Sequence, residues 1–346
     1  MLDHALELPL APDGVDPERI PYRTLPTGAR MPAIGLGTFG SDHYDADTIA
    51  QGVLTAAEVG YRHFDCAAVY GNESHIGASL EAIQRAGVAR DEMFITSKLW
   101  NDSHGEEEVL PACRRSLDDL RLDALDMYLV HWPFPNYHPP HCDVDSRSPD
   151  ARPFILEEFM DTWAGMEALV KEGVVRHIGT SNMTRAKLEL VLPHTTIRPS
   201  FNEMEVHPTF QQRDLVSYIK SEGMIPIGFS PLGSPNRPER DKTEADLVDM
   251  EDPIIVEIAR AHHVHPAAIC LKWAHQNGII PIPLSTKERN LRSNYEAIHT
   301  DPLTEEELTR LKEVEANNRL IKGQVFLWEG ATGWEDLWDE DGIIAR

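Results

Sequence analysis

The feature that most constrains this chain is a repeat of pattern rather than of sequence. Short apolar runs rich in β-branched and aromatic residues alternate with stretches whose apolar residues recur at helical spacing. That alternation belongs to parallel strands joined by helices. Eight runs read as strands: residues 34–39, 63–67, 93–99, 127–132, 175–181, 201–206, 225–232 and 279–285. Between them, Ile49, Val53, Leu54 and Ala57 share one helical face, as do Ile76, Leu80 and Ile83. Met160, Trp163, Met166 and Val170 do the same and read as core. Asp252-Pro253 offers an N-cap with proline at the first helical position, and Thr304 to Glu307 a capping box. Eight strand–helix units in 346 residues fit an α/β protein of the closed (β/α)8 TIM-barrel kind better than an open sheet.

The barrel is expected over residues 22–318, after an irregular extension over 1–21. It opens with a β-hairpin around Thr27-Gly28-Ala29. Two connections, 133–157 and 233–251, are too long for plain linkers. Both follow strand ends, so both are expected to overhang the carboxyl-end face, where such barrels do their chemistry. The tail, 319–346, carries Phe326, Trp328, Trp334 and Trp338 among acids, which predicts docking near the barrel mouth.

Four reactive side chains fall at successive strand ends. Asp65 lies in the second run, Tyr70 just past it, Lys98 near the end of the third, and His131 near the end of the fourth. Parallel neighbouring strands bring these together. Reducing a carbonyl needs a hydride on carbon and a proton on oxygen. A tyrosine, with a free pKa of about 10, is a poor proton donor at neutral pH unless a cation favours its phenolate. Lys98 would be that cation, Asp65 would hold it charged, and His131 would hydrogen-bond the substrate oxygen.

Composition excludes other readings. A net charge of -25 argues against nucleic acid or an anionic membrane as partner. Cys66, Cys113, Cys142 and Cys270 are scattered, which suits a reducing, cytoplasmic setting. No apolar run is long enough to span a bilayer. Gly35, Gly37 and Gly40 match the dinucleotide pattern G-x-G-x-x-G. That pattern needs a helix opening at the glycines, and residues 41–47 intervene, so the glycines read as a tight strand exit. His138, His141, Cys142, Asp143 and Asp145 crowd one proline-rich loop without metal-ligand spacing. They read as a solvated lid, with no metal expected.

Gly60 to Asp65, Ala68 to Glu73, Ser97 to Trp100, Leu129 to Pro133, Gly179 to Asn182 and Phe229 to Ser234 resemble, in order, the motifs of the aldo-keto reductases. The resemblance runs over residues 22–318. It implies a barrel binding NADP(H), or NAD(H), extended across its mouth, and a small carbonyl substrate. It puts the catalytic tetrad on Asp65, Tyr70, Lys98 and His131. It puts cofactor contacts on Thr38, Ser181, Asn182, Glu203, Phe229, Ser230, Leu232, Ser234, Ser285, Thr286, Lys287, Arg289 and Asn294. Phe39, Trp100, Trp132 and Trp328 are implied as substrate contacts. The chain departs from the pattern at Glu203, where glutamine is usual, and at Leu284, where a lysine is often found. Lys287 and Arg289 remain to clamp a 2′-phosphate, while Glu288 would suit a free ribose hydroxyl. NADP(H) is therefore expected to be preferred, with sugar aldehydes as substrates or, as the alternative, general aliphatic and aromatic aldehydes. A non-catalytic cofactor-sensing subunit is the second class, disfavoured by the intact tetrad. Oligomeric state is left open.

Overall fold

The computed structural model describes residues 6, 8, 15–40, 43–138, 148–233 and 237–345. Strands β1 (Tyr22–Thr24) and β2 (Arg30–Pro32) form an antiparallel hairpin with Arg23 opposite Met31. Eight parallel strands follow: β3 (Leu36–Gly37), β4 (His63–Asp65), β5 (Phe94–Leu99), β6 (Leu125–Val130), β7 (Val175–Ser181), β8 (Phe201–Glu205), β9 (Ile225–Phe229) and β10 (Ile280–Pro281). They hydrogen-bond in unbroken chain order from β3 to β10. The amides of Gly35 and Gly37 then donate to the carbonyls of Pro281 and Pro283, which joins the first strand to the last. The fold is the (β/α)8 barrel expected from the alternation.

The seam strands are shorter than the runs 34–39 and 279–285 suggested. Pro281 and Pro283 have no amide hydrogen to donate to a ladder, so regular pairing ends early there. The glycines read as a tight strand exit also meet close neighbours: Gly37 ends β3, and a Cβ on Gly40 would lie 2.6 Å from the Tyr44 carbonyl oxygen. A Cβ on Gly37 would lie 2.7 Å from the Ile282 carbonyl oxygen, and one on Gly35 would lie 2.4 Å from the His63 ring. Gly37 permits close approach across the closure, and Gly35 leaves room for the His63 ring of β4.

The barrel interior is apolar at its amino-terminal end. Phe94, Met127, Leu129, Phe201, Ile225 and Ile227 fill it, and Leu25 and Met31 of the hairpin region pack against them as a plug. The larger cluster lies between strands and helices and includes Trp163 and Met166, both fully buried. Helices Ala46–Val59, Glu73–Arg85 and Leu156–Glu172 supply the faces read from the sequence. Asp252 caps the helix Pro253–Ala261 by accepting from Ile254 and Ile255, and Thr304 with Glu307 forms the capping box. With apolar side chains at one end, polar ones concentrate at the carboxyl ends of the strands.

Cys66, Cys113 and Cys270 are buried free thiols. Cys142, together with His141, Asp143 and Asp145, lies outside the described residues. Among the described residues, no helix is long and apolar enough to cross a membrane, and no group of acids, histidines and cysteines could hold a metal.

Candidate active site

Each tetrad residue is placed by its own local structure. Asp65 ends β4, where its carbonyl accepts from the Thr38 hydroxyl at 2.7 Å. The chain then makes one 3-10 turn, Ala68–Tyr70, and leaves it through Gly71 at φ 66. A left-handed backbone there suits glycine, and it sends Tyr70 back over the barrel mouth. Asn72, which precedes the helix Glu73–Arg85, ties this turn to Thr38 by donating to its carbonyl at 2.8 Å. Lys98 is the penultimate residue of β5 and is fully buried. His131 follows β6 directly and is fixed by its amide donating to the Leu99 carbonyl.

The four converge. Lys98 Nζ donates to Asp65 Oδ2 at 2.5 Å and to the Cys66 carbonyl at 3.1 Å. It lies 5.3 Å from the Tyr70 ring centroid. The Tyr70 and His131 rings meet edge to face at 5.9 Å. Burial alone would lower the Lys98 pKa, but the Asp65 and Glu203 carboxyl groups outweigh it and hold the ammonium well above its usual value. His131 is held neutral by burial, with Lys98 and His138 adding to the effect. Tyr70 differs from the sequence expectation. Burial pushes its phenol above the usual value, Lys98 pulls it back, and Asp65 and Glu203 push it up again. The cation therefore offsets a burial penalty instead of making an unusually acidic phenol.

A cavity of about 1200 Å³ opens above these residues. At its aromatic end Phe39 stands 5.0 Å from Tyr70, Trp100 5.3 Å from His131, and Phe326 4.4 Å from Trp132, centroid to centroid. At the other end Lys287, Arg289, Asn290, Ser293 and Asn294 line it. Between them stand Ser181, Asn182, Glu203 and Phe229. Asn182 adopts φ 56 and donates to the His131 carbonyl at 2.9 Å. Its Oδ1, His131 Nδ1 and Glu203 Oε2 are buried without a protein partner. Buried polar atoms ordinarily have partners, so this row fits a polar, planar ligand group such as a carboxamide.

Of the residues implied by resemblance, Thr38, Phe39, Trp100, Trp132, Ser181, Asn182, Glu203, Phe229, Ser230, Leu232, Ser285, Lys287, Arg289 and Asn294 all line this cavity. Ser234 lies outside the described residues. Thr286 does not line it and packs near Gly52, where a Cβ would come 3.4 Å from its methyl. Trp328 does not line it either. It is buried in the tail cluster that also holds Trp132, Phe134, Phe326 and Trp338. Phe326, two residues earlier, takes the position by the substrate end. The reading also missed Arg237, Asn290 and Val325, which line the cavity from the loop after β9, the first turn of the helix Glu288–Ala297 and the tail. The overhang of the 233–251 connection hinted at Arg237, and the aromatic tail at Phe326.

The aldo/keto reductase family model matches residues 33–316. Aldo/keto reductase slr0942 of Synechocystis sp. is 37% identical over 321 residues, which cover 92% of this chain and 96% of that protein. Aldo-keto reductase family 1 member A1-A of Danio rerio is 38% identical over 320 residues, covering 90% and 95% respectively. A Bombyx mori aldo-keto reductase solved in complex with NADP superposes with a TM-score of 0.78 at 34% identity, covering 89% of this chain and 96% of that one.

Proposed function

The chain belongs to the aldo/keto reductase family, and from that premise we propose that it reduces aldehydes with an apolar or aromatic body, using NADP(H) in preference to NAD(H). It is an NAD(P)H-dependent oxidoreductase acting on carbonyls. When bound, a reduced nicotinamide supplies the hydride. Phe229 offers a ring face for stacking, and Ser181, Asn182 and Glu203 offer polar atoms to a carboxamide. Tyr70 gives its proton to the carbonyl oxygen, Lys98 favours the phenolate left behind, and Asp65 keeps Lys98 in place. Neutral His131 steadies the oxygen in the pose that faces Tyr70.

One observation carries the substrate class: Tyr70 and His131 are ringed by Phe39, Trp100, Trp132 and Phe326. Among the described residues at that end, the polar groups are Tyr70, His131, His138 and the indole N–H donors of Trp100 and Trp132. A polyhydroxy chain would leave several hydroxyls facing aromatic carbon, each losing water without a partner. This supports the general aldehydes over the sugar aldehydes expected from the sequence. For the cofactor, Lys287 and Arg289 line the cavity, whereas Glu288 is exposed and pairs with Arg292 at 3.1 Å. The acid that would oppose a 2′-phosphate is thus engaged elsewhere. A screen of aromatic aldehydes, straight-chain aldehydes and aldoses, each with NADPH and NADH, tests both parts. Higher kcat/KM on aldoses, or with NADH, overturns the corresponding part.

A further inference from the structure

Glu203 brings a second carboxyl group to a lysine that already has one. It sits in the middle of β8, is 2% exposed, and places Oε1 3.4 Å from Lys98 Nζ, against 2.5 Å for Asp65 Oδ2. The two carboxyl groups are also within hydrogen-bonding reach of each other. Each keeps one buried oxygen, Asp65 Oδ1 and Glu203 Oε2, that no donor reaches. One cation cannot satisfy two buried carboxylates. Like charges this close are not both ionised in a dry site; one of them holds a proton.

The distances decide which. Asp65 has the shorter bond to the ammonium, so it is the better anion and Glu203 the better acid. A protonated carboxyl is one donor with acceptor capacity left over. It can donate to Asp65 and still accept from a ligand amide. The charged or titratable groups facing Glu203 are Asp65 from β4, Tyr70 from the turn after it, and Lys98 from β5. The flanking strands β7 and β9 put Ser181 and Ile227 in register with it, and neither carries charge.

Ionising Glu203 changes the chemistry. The Asp65–Lys98–Glu203 group goes from neutral to a net negative charge beside Tyr70. A negative neighbour disfavours the phenolate that Tyr70 must become on giving up its proton.

We propose that Glu203 is a positioning residue that works in its protonated form, donating to Asp65 and keeping Tyr70 able to release its proton, so that ionisation of Glu203 sets the alkaline limb of carbonyl reduction. The limb rests on the reductase reading above; the protonated carboxyl does not. Burial, then Asp65, raise the Glu203 pKa from 4.5 to about 8, with Lys98 opposing. Below that value Glu203 is neutral and the site is competent.

The test uses the wild type, E203Q and E203D. In the wild type, kcat for reduction falls about tenfold at one pH unit above the limb. E203Q, which cannot ionise, moves its limb to higher pH, and E203D, which can, keeps one near the wild-type position. A merely structural role would alter both variants alike, without moving the limb in E203Q alone. Two readouts need neither cofactor nor substrate. The wild-type minus E203Q infrared spectrum should show a protonated-carboxyl band at neutral pH that vanishes as pH rises through about 8. The thermal stability of the wild type should fall relative to E203Q between pH 4.5 and about 8, and the gap should be constant above. The sign follows from linkage: a carboxyl with a raised folded pKa stabilises while protonated, and that stability is lost as pH rises through the folded value. An unmoved limb in E203Q, or no band and a pH-independent stability gap, overturns the proposal. A band without any aldehyde reduction upholds the protonated carboxyl and overturns the reductase reading.

Discussion

Asp339→Ala should release the tail and impair aldehyde binding while sparing the cofactor. The tail reaches the cavity through Val325 and Phe326, and its far end is fastened by one buried ion pair. Lys187 Nζ donates to Asp339 Oδ2 at 2.6 Å and to the Leu337 carbonyl at 2.9 Å, and the Thr184 hydroxyl donates to the same carboxylate. The two side chains are 2% and 0% exposed. Burial lowers the Lys187 pKa and raises that of Asp339, and each is partly restored by the other. Removing one partner of such a pair leaves an uncompensated buried charge and costs about 3–5 kcal/mol. A chain this size is stable by about 5–15 kcal/mol in all. The cheaper response is to undock the tail, which lets water reach Lys187 and takes Phe326 away from Trp132.

Two measurements follow. Denaturant unfolding of Asp339→Ala should show a loss of up to about 3–5 kcal/mol. The KM for an aromatic aldehyde should rise well above its wild-type value, while direct NADPH binding changes little, since Lys287 and Arg289 lie at the other end of the cavity. The double variant Lys187→Met with Asp339→Leu, which replaces the pair by apolar side chains, should recover most of the stability. Single variants costing under about 1 kcal/mol, a double variant no better than either single, or equal damage to aldehyde and cofactor binding would each refute the latch.

Tyr70→Phe removes the proton donor and keeps the ring, so it should bind NADPH normally and lose about 10²–10⁴-fold in kcat; near-normal turnover would move the acid elsewhere. Arg289→Ala should raise KM for NADPH about tenfold to a hundredfold, the worth of one charge-assisted bond of about 1.5–3 kcal/mol, and leave KM for NADH almost unchanged. His207 is fully buried between Glu205 at 3.1 Å and Asp249 at 3.0 Å. Burial opposes its charge, but the two carboxylates raise its pKa from 6.5 to about 9. The stability it contributes is complete below 6.5 and lost as pH rises through about 9. His207→Gln should therefore flatten the alkaline decline in melting temperature, and a wild type with no decline in that window would contradict a charged His207.

The convergence of four side chains was legible because their residue types are chemically distinctive and sit where strands end. Asp65, Tyr70, Lys98 and His131 need only the parallel order of β4, β5 and β6 to meet, and the strand–helix alternation carries that order. Elements that depend on a partner far along the chain were less legible. The lengths of β3 and β10 are set by prolines of one strand facing glycines of the other across the seam. Tail aromatics at 326, 328, 334 and 338 look alike in a sequence. Which of them reaches the cavity depends on the path fixed by Asp339 on Lys187 and by Trp338 Nε1 donating to the Lys322 carbonyl at 2.9 Å. Arg237 gave no signal of its own, since an arginine in a polar loop has no periodicity to place it.

The strongest limit of the sequence lies within β8. Phe201, Glu203 and Glu205 alternate with Asn202 and Met204, so they share one face of the strand. Phe201 joins the apolar barrel interior, and the two glutamates climb from it toward the mouth. Both are almost fully buried, at 2% and 1% exposure. Burial acts on each in the same direction, yet their pKa values move oppositely. Glu203 has half a lysine and a second carboxyl for company, and is raised to about 8. For Glu205 the burial penalty is outweighed by His207 at 3.1 Å, by Arg319, and by the Leu320 and Ile321 amides donating at 2.8 and 3.0 Å, so its pKa falls. The number of donors decides, and none of those donors is near in sequence to the acid it serves except His207. One glutamate is thereby left able to hold a proton beside Lys98. The other is fixed as an anion that pins the start of the tail to the barrel. Identical residues two positions apart on one strand thus do opposite work, a distinction carried by their partners' three-dimensional positions and not by their own identity.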